Sequence, residues 1–458
     1  MRRSTVAKIV SVSVLALLAC GYGAADIADI VPGFLTAAPA REAAPVPAIP
    51  EQADAVLAAV ATAQGDEVSP TDVRALWSPV ERAASEGKWA SWGSVIDAAT
   101  GQVLLDADAA TAHTPASTTK VLTAFSAFST LDTSQKLTTS LLLSGGRLHL
   151  TSQGDLLLGE GASNPDAVEG HAGLGDLAAQ AAAVLNERGI ADVSLTWDEQ
   201  PFDGESRLAA WGEQGVAGFE GRVGAMAIDA GRTVEGAYAF VDDPSRNVAS
   251  VVANALTNAG IETSLGSEAR PPDGAEAIAS VESATMGQQI RWMLHESDNT
   301  VADQYCRLAA RAAGKDTSAP GAVAHLRSTL EDAGVDTTGM SLQDCSGLSE
   351  NDKISAATLV NALRASASSS GDLAGLVRSL PWAGLDGTMT SRMSGSAAVA
   401  NAQAKTGSLG SVSSLAGIVQ TNSGRILIYA IGNDAVPDDA AALTRPVLDR
   451  FIVGLAEL

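Results

Sequence analysis

The chain has 458 residues, and 46% of them are hydrophobic, so it is long enough to bury one large core or two to three smaller ones. Its 29 basic and 53 acidic residues give a formal net charge of −24 at pH 7, which argues against nucleic acids and anionic membrane surfaces as partners. The five histidines show no His-x-x-x-His spacing and the cysteines form no close pair, so we predict neither a metal nor another cofactor.

The N-terminal segment has the pattern of an export signal. Over residues 1–30, basic residues precede an apolar run at 9–19 that is too short to predict a transmembrane helix. Cys20 ends a stretch that loosely matches a lipoprotein signal, so residues 1–30 are expected to be a cleaved signal or a membrane anchor. Residues 31–69 are rich in alanine and proline and are predicted to form a tether. We therefore expect export to the cell envelope.

The apolar pattern along the rest of the chain predicts alternating helices and strands. A helix over 70–84 is followed by a hairpin over 92–105 and by a second helix near residue 120. After about residue 134 the pattern changes to short strands separated by glycine-containing turns. The later predictions are strands at 138–143, 147–150, 155–158 and 193–197, a strand-like segment at 232–243, helices at 174–188, 245–259, 286–313 and 320–333, strands at 412–420 and 425–432, and a final helix at 440–456.

A serine and a lysine lie three residues apart at the predicted start of that second helix. Pro115 suits a first helical position with Thr114 as the cap, which would place Ser117 and Lys120 on one helix face. A hydroxyl beside an amine can form an activated nucleophile for acyl transfer. The alternative is a polar first turn of an ordinary buried helix, since the same spacing recurs at residues 85–88, where Gly87 indicates a helix end.

Two further motifs follow in order. Ser297-Asp298-Asn299 lies in the helical segment at 286–313, and Lys405-Thr406-Gly407 precedes a predicted pair of strands. Each is weak alone, because Ser-x-Asn also occurs elsewhere in the chain, although Lys-Thr-Gly occurs once. The order Ser-x-x-Lys, Ser-x-Asn, Lys-Thr-Gly is typical of penicillin-binding proteins and class A β-lactamases.

The chemistry of these residues fits acyl transfer. Ser117 needs a base to take its proton, and Lys120 can act as that base only when its amine is neutral. Burial and the like charge of Lys405 would both lower the pKa of Lys120. Ser297 could pass a proton to the leaving amine, and the amide of Asn299 could hold the substrate backbone.

The remaining motif residues suit substrate binding. Lys405 and Thr406 could hold a substrate carboxylate through charge-assisted hydrogen bonds. Gly407 would let the substrate lie along a strand edge. The backbone N–H groups of Ser117 and Ser408 are the predicted oxyanion hole.

The sequence resembles the D-alanyl-D-alanine carboxypeptidase/endopeptidase family, the class C low-molecular-mass penicillin-binding proteins of actinobacterial type. The resemblance implies an α/β fold, in which a serine β-lactamase-like catalytic domain with an antiparallel sheet flanked by helices is interrupted by a strand-rich inserted domain. We assign residues 70–134 and 271–458 to the catalytic domain and residues 135–270 to the insert. Besides the three motifs, the resemblance to this family rests on residues 154–159, 256–261, 294–303, 344–349, 380–388 and 404–417.

The expected function is hydrolysis of peptidoglycan stem peptides through an acyl-enzyme on Ser117, with β-lactam antibiotics as covalent inhibitors. A β-lactamase or esterase on the same scaffold is one alternative, and a tethered wall-binding protein without activity is another. Glu350 stands where relatives typically carry an arginine that helps hold a diaminopimelate side chain, which leaves the preferred stem peptide open.

Two cysteines remain when Cys20 is set aside. Cys306 and Cys345 form an even pair in a chain predicted to be exported, so we expect a disulfide between them. Two buried free thiols are the alternative.

Overall fold

The computed structural model describes residues 65–199, 201–234 and 238–458. The predicted export segment, Cys20 and nearly all of the predicted tether lie outside these residues. In the described part of the chain, no helix is both long and apolar enough to cross a membrane.

The described residues form two five-stranded sheets, two short strand pairs and surrounding helices. The strands are β1 (Ala90–Asp97), β2 (Val103–Ala107), β3 (Ala112–His113), β4 (Lys136–Ser144), β5 (Arg147–Ser152), β6 (Asp155–Leu158), β7 (Asp192–Trp197), β8 (Met226–Ile228), β9 (Glu262–Glu268), β10 (Glu276–Thr285), β11 (Ile354–Ser355), β12 (Ala402–Leu409), β13 (Val412–Gln420) and β14 (Ile426–Asp434). The helices are α1 (Pro70–Gly87), α2 (Thr119–Thr130), α3 (Leu174–Glu187), α4 (Ala209–Glu213), α5 (Pro244–Asn258), α6 (Met286–Glu296), α7 (Asn299–Ala312), α8 (Ala319–Asp332), α9 (Ala356–Ala367), α10 (Gly375–Arg378) and α11 (Arg445–Ala456).

The first sheet has the strand order β12-β13-β14-β1-β2, and all of its neighbours are antiparallel. One face of this sheet is covered by the first and last helices of the described region, α1 and α11, which pack together. The rings of Trp77 and Phe451 lie 5.0 Å apart at this contact. Helix α9 packs against β1 and β14. Strands β13 and β14 are buried along almost their whole length, as expected for a sheet covered on both faces. The predicted fold class, α/β with an antiparallel sheet flanked by helices, is confirmed.

The second sheet has the order β10-β4-β5-β7-β9 and mixes antiparallel with parallel pairs. Helices α3 and α5 pack together beside it and share its apolar core. Its strand β10 lies past residue 270, where the sequence analysis placed the end of the insert. The strand predicted over 232–243 is wrong, because this segment contains only a single bridge between Arg232 and Phe240 in its described residues.

The helical segment predicted over 286–313 is two helices rather than one. Helix α6 ends at Glu296, and Ser297 adopts a left-handed conformation with φ 59° and ψ 33°. Asp298 then caps α7, since its Oδ1 accepts the N–H of Val301 at 2.7 Å. The Ser-Asp-Asn motif therefore forms the corner between two helices.

Cys306 on α7 is joined to Cys345 by a disulfide, with Cα atoms 6.3 Å apart. Both residues are almost completely buried. The bridge ties α7 to the loop that follows α8.

Removing this disulfide with the double variant Cys306→Ser/Cys345→Ser should lower the free energy of unfolding by about 2–4 kcal/mol, because the unfolded chain regains the entropy of a loop closed across 39 positions. Urea unfolding with and without a thiol reductant measures this. The reductant should shift the midpoint of the wild type and leave the variant unchanged. Equal midpoints for the oxidised wild type and the variant would contradict the expectation.

Candidate active site

The nucleophile turn, Ala116–Thr118, is a single turn of 3₁₀ helix that leads into α2. The predicted helix start is therefore wrong in detail: Thr114 does not cap this helix, and its hydroxyl instead donates to the carbonyl of Glu350 at 3.4 Å. Ser117 is part of a tight turn, while Lys120 belongs to the first turn of α2.

The backbone of this turn is held from several sides. The carbonyl of Pro115 accepts hydrogen bonds from the hydroxyls of Thr118 and Ser414, both at 2.7 Å. Ala116 has a φ of 49°, a conformation that costs a residue with a Cβ about 1–2 kcal/mol. These contacts hold a strained backbone immediately before the serine.

Two glycines allow other segments to approach the nucleophile turn. A Cβ at Gly407 would lie 2.1 Å from the Ser414 hydroxyl and 2.7 Å from the carbonyl of Pro115. A Cβ at Gly347, whose φ is +77°, would lie 2.0 Å from the carbonyl of Ala116. Gly407 is thus required by packing against the turn, which differs from the substrate-binding reason that the sequence suggested.

The amine of Lys120 lies at the centre of the site. Its Nζ donates to Ser117 Oγ at 3.0 Å, to Asn299 Oδ1 at 2.7 Å and to the carbonyl of Ser346 at 2.7 Å. The side chain is 0% exposed. The contacts with Asn299 and Ser346 hold the amine within hydrogen-bond distance of the Ser117 hydroxyl.

Burial lowers the pKa of Lys120 to about 8, although the carboxylates of Glu220, Asp298, Asp344 and Asp303 oppose the shift. From the sequence, the like charge of Lys405 is expected to help lower the pKa of Lys120. In the structure burial is the largest cause of the shift in Lys120. The like-charge effect falls on Lys405 instead: burial and the charge of Lys120 together lower the pKa of Lys405 well below its usual range.

Lys405 is also 0% exposed, and its Nζ donates to Ser297 Oγ at 2.8 Å and to the carbonyl of Thr406 at 2.8 Å. The left-handed conformation of Ser297 places its hydroxyl between α6 and the strand that carries the lysine. The Lys405 amine is thus held beside Ser297 by two hydrogen bonds, and Lys405 itself does not line the cavity.

Asn299 connects Lys120 to the segment that precedes β8. Its Oδ1 accepts from Lys120, and its Nδ2 donates to the carbonyl of Phe219 at 2.9 Å. The amide retains a second N–H for a substrate. Asp298, besides capping α7, forms an ion pair with Arg232.

A loop held by Asp344 supplies the third partner of Lys120. The Asp344 Oδ1 accepts the N–H groups of Ser346 at 3.0 Å and Gly347 at 2.7 Å, and its Oδ2 accepts from Trp211 Nε1 at 2.8 Å. Asp344 is fully buried. This loop fixes the carbonyl of Ser346, which the sequence motifs did not identify.

A buried acidic pair lies behind this loop. Burial raises the pKa of Glu220 well above its usual range, and burial raises the pKa of Asp303 to about 6. The Glu220 carboxyl also accepts from the Ser346 hydroxyl at 3.3 Å, and Asp303 accepts the N–H of Cys345 at 2.8 Å. Burial therefore favours the protonated form of both carboxyl groups.

Ser117, Ser297 and Asn299 open into a cavity of about 560 Å³. Its wall on the side of β12 includes Thr406, Ser408 and Arg445. Elsewhere the cavity is lined by Phe219, Tyr238, Glu296, Glu350 and Arg392, among others. The rings of Phe219 and Tyr238 are 5.0 Å apart and partly exposed. The cavity wall thus combines two arginines with two aromatic rings and two carboxylates.

Strand β12 is the edge strand of the first sheet, and part of its outer edge is already occupied. The N–H of Ala383 donates to the carbonyl of Ala402, and the N–H of Ala404 donates to the carbonyl of Pro381. The following residues, through Leu409, border the nucleophile turn and the cavity. An extended peptide could therefore pair with this part of the edge.

The second Ser-x-x-Lys pair is not part of the site. Ser85 lies near the end of α1, and the left-handed residue Lys88 ends that helix; both are exposed. His113 also lies outside the cavity wall, where its ring stacks on Trp92 and its Nδ1 lies 3.0 Å from an Asp434 carboxylate oxygen.

Comparison with known proteins identifies the family. The model of the D-Ala-D-Ala carboxypeptidase 3 (S13) family matches residues 79–239 and 235–452. The chain belongs to this family. It is 34% identical over 370 residues to carboxypeptidase DacB of Mycolicibacterium smegmatis and 32% identical over 367 residues to carboxypeptidase Rv3627c of Mycobacterium tuberculosis, covering 77% of this chain and 78% of the relative in each case.

The fold is also that of a solved relative. Penicillin-binding protein 4 (dacB) from Haemophilus influenzae aligns with a TM-score of 0.67 at 21% identity, covering 82% of this chain and 98% of that one. A second structure of the same relative, complexed with a β-lactam, aligns with a TM-score of 0.60 at 18% identity, covering 83% of this chain and 99% of that one. These structures show the shared fold, while the family and the two carboxypeptidase relatives make the protein a D-Ala-D-Ala carboxypeptidase.

The variant Gly347→Ala should lower the free energy of unfolding by more than about 3 kcal/mol and reduce peptidase activity, because its Cβ would displace the nucleophile turn. Gly189→Ala is the matched control, since Gly189 has a similar φ of +67° and no atom within 4 Å of the added Cβ. That control should cost about 1 kcal/mol, from backbone strain alone. Urea unfolding and peptide hydrolysis measure both effects, and equal losses in the two variants would contradict the steric argument.

Proposed function

We propose that the protein is exported and removes the terminal D-alanine from peptidoglycan stem peptides, or trims their cross-links, through an acyl-enzyme on Ser117. The observation that carries the proposal is the buried amine of Lys120, which lies 3.0 Å from the hydroxyl of Ser117, a residue that lines the cavity. The family and its carboxypeptidase relatives support the substrate class.

Acylation follows from these contacts. The neutral amine of Lys120 takes the proton of Ser117 as the serine oxygen attacks the carbonyl carbon between the two D-alanines. The N–H groups of Ser117 and Ser408 stabilise the negative oxygen that forms. Ser297, hydrogen bonded to Lys405, gives its proton to the nitrogen as the C–N bond breaks and D-alanine leaves. The Lys120 ammonium then returns a proton to Ser297, so the Lys120 amine is neutral again for the next step.

Deacylation uses water. A water molecule attacks the ester carbon, Lys120 accepts its proton, and the ester bond to Ser117 breaks with return of a proton to the serine oxygen. A β-lactam places a strained amide in the position of the scissile bond, so it acylates Ser117 as well. The relative from Haemophilus influenzae that was crystallised with a β-lactam supports this extension.

The N-terminal sequence supports the proposed location. The charged start and short apolar run within residues 1–30 are the features of an export signal, and peptidoglycan lies outside the cytoplasm. Either cleavage or retention of this segment, including lipidation of Cys20, leaves the catalytic residues on the outer side of the membrane.

Labelling with a fluorescent penicillin tests the acyl-enzyme. The wild type should be labelled on Ser117, and Ser117→Ala should lose the label. Ser85→Ala is the matched control, because it removes the serine of the exposed Ser-x-x-Lys pair and should label normally. Peptide mapping locates the label, and labelling that persists in Ser117→Ala would refute the assignment. A long-lived label supports a peptidase, whereas rapid turnover of the penicillin would favour the β-lactamase alternative.

The pH dependence tests the role of Lys120. Because the amine must be neutral and its pKa is about 8, kcat/KM for a D-alanyl-D-alanine peptide should rise about tenfold per pH unit below pH 8 and level off above it. Lys120→Arg, whose side chain stays charged, should be inactive across the range. A profile that is flat between pH 6 and pH 8, or a rise centred near the usual lysine pKa, would contradict the mechanism.

A further inference from the structure

A cation in the cavity wall would suit the substrate, because the motif lysine, Lys405, does not line the cavity. The residue that leaves carries a carboxylate next to the scissile bond. Lys405 is 0% exposed, and its amine contacts Ser297 Oγ. Lys405 is not among the residues that line the cavity, so a cation in the cavity wall is better placed to bind the carboxylate.

Two arginines, Arg392 and Arg445, line the cavity, and one of them is already paired. The Arg392 Nε lies 3.0 and 2.9 Å from the two carboxylate oxygens of Asp449, so its charge is neutralised within the protein. Arg445, the first residue of α11, also lines the cavity but forms no ion pair among the residues that the structure describes.

Arg445 is positioned toward the Lys-Thr-Gly strand. Its NH2 donates to Ser408 Oγ at 2.9 Å, and its Nε is buried without a hydrogen-bond partner in the described structure. Burial and the nearby charge of Arg392 lower the pKa of Arg445, which remains a cation, and Asp449 opposes the shift. A planar guanidinium with unused donors is suited to a carboxylate.

We infer that Arg445, together with the hydroxyls of Thr406 and Ser408, binds the carboxylate of the leaving residue and makes the enzyme prefer peptides whose terminal carboxylate is free. The inference rests on the proposed function, since it assigns a specificity residue to that same site. Arg445 acts by positioning the peptide along β12 and takes no part in proton transfer.

The chain offers a close control. Arg450 lies on the same helix but is exposed, so Arg450→Gln removes the same charge from α11 without altering the cavity wall. Arg445→Lys keeps the charge at the site and loses the fork of donors. These variants separate the local contact from the net charge of the helix.

The experiment compares two peptides that end in D-Ala-D-Ala, one with a free carboxylate and one with a terminal amide. In full-length Arg445→Gln, kcat/KM for the free acid should fall about 10- to 100-fold, mainly through KM, while kcat/KM for the amide stays within about twofold. Arg445→Lys should show an intermediate loss for the acid, and Arg450→Gln should match the wild type.

The outcomes distinguish the two levels of the proposal. Equal losses on both peptides, or an unchanged preference in Arg445→Gln and Arg445→Lys, would overturn the role of Arg445 and leave the peptidase assignment intact. A wild type that hydrolyses neither peptide and is not acylated by penicillin would overturn the proposed function, and the inference with it. Thermal melting of each variant shows that the compared proteins are folded.

Discussion

The site depends on burying two lysine amines in one small region. An amine removed from water resists protonation, and a second amine nearby increases that resistance. Lys120 and Lys405 are both inaccessible to solvent, yet they differ in their surroundings, because buried carboxylates and a carbonyl face Lys120 while Lys405 faces a hydroxyl and a carbonyl. The acidic residues behind the site therefore limit how far the pKa of Lys120 falls and keep it close to neutral pH. This balance lets one amine alternate between base and acid.

The short motifs and apolar patterns predicted much of this molecule because they are local. The hairpin β1–β2 and the strands β6 and β13 lie where the alternation of apolar residues placed them. The structure also brings Asn299 into contact with Lys120, although the two residues are 179 positions apart in the chain. Spacing and residue type sufficed here, since each motif needs only a few neighbouring residues to present its side chains.

Other features depend on contacts that no local pattern encodes. The helical periodicity of residues 286–313 continues through Ser297, so no local pattern indicated the left-handed corner. The need for Gly407 arises from Ser414 and the nucleophile turn, which are far away in sequence. Arg445 lies outside all three motifs and reaches the site only because α11 packs beneath the sheet.

The segment between β7 and α5 also has a consequence for the order in which activity appears during folding. Phe219, Glu220 and Arg232 belong to this segment, and they contact Asn299, Ser346 and Asp298 respectively. A chain in which the first sheet has formed, but the segment between β7 and α5 has not docked, would contain Ser117 without the contacts that this segment makes to Asn299, Ser346 and Asp298. Competence to react with a cell-wall peptide therefore requires this segment to be docked as well as the first sheet to be formed.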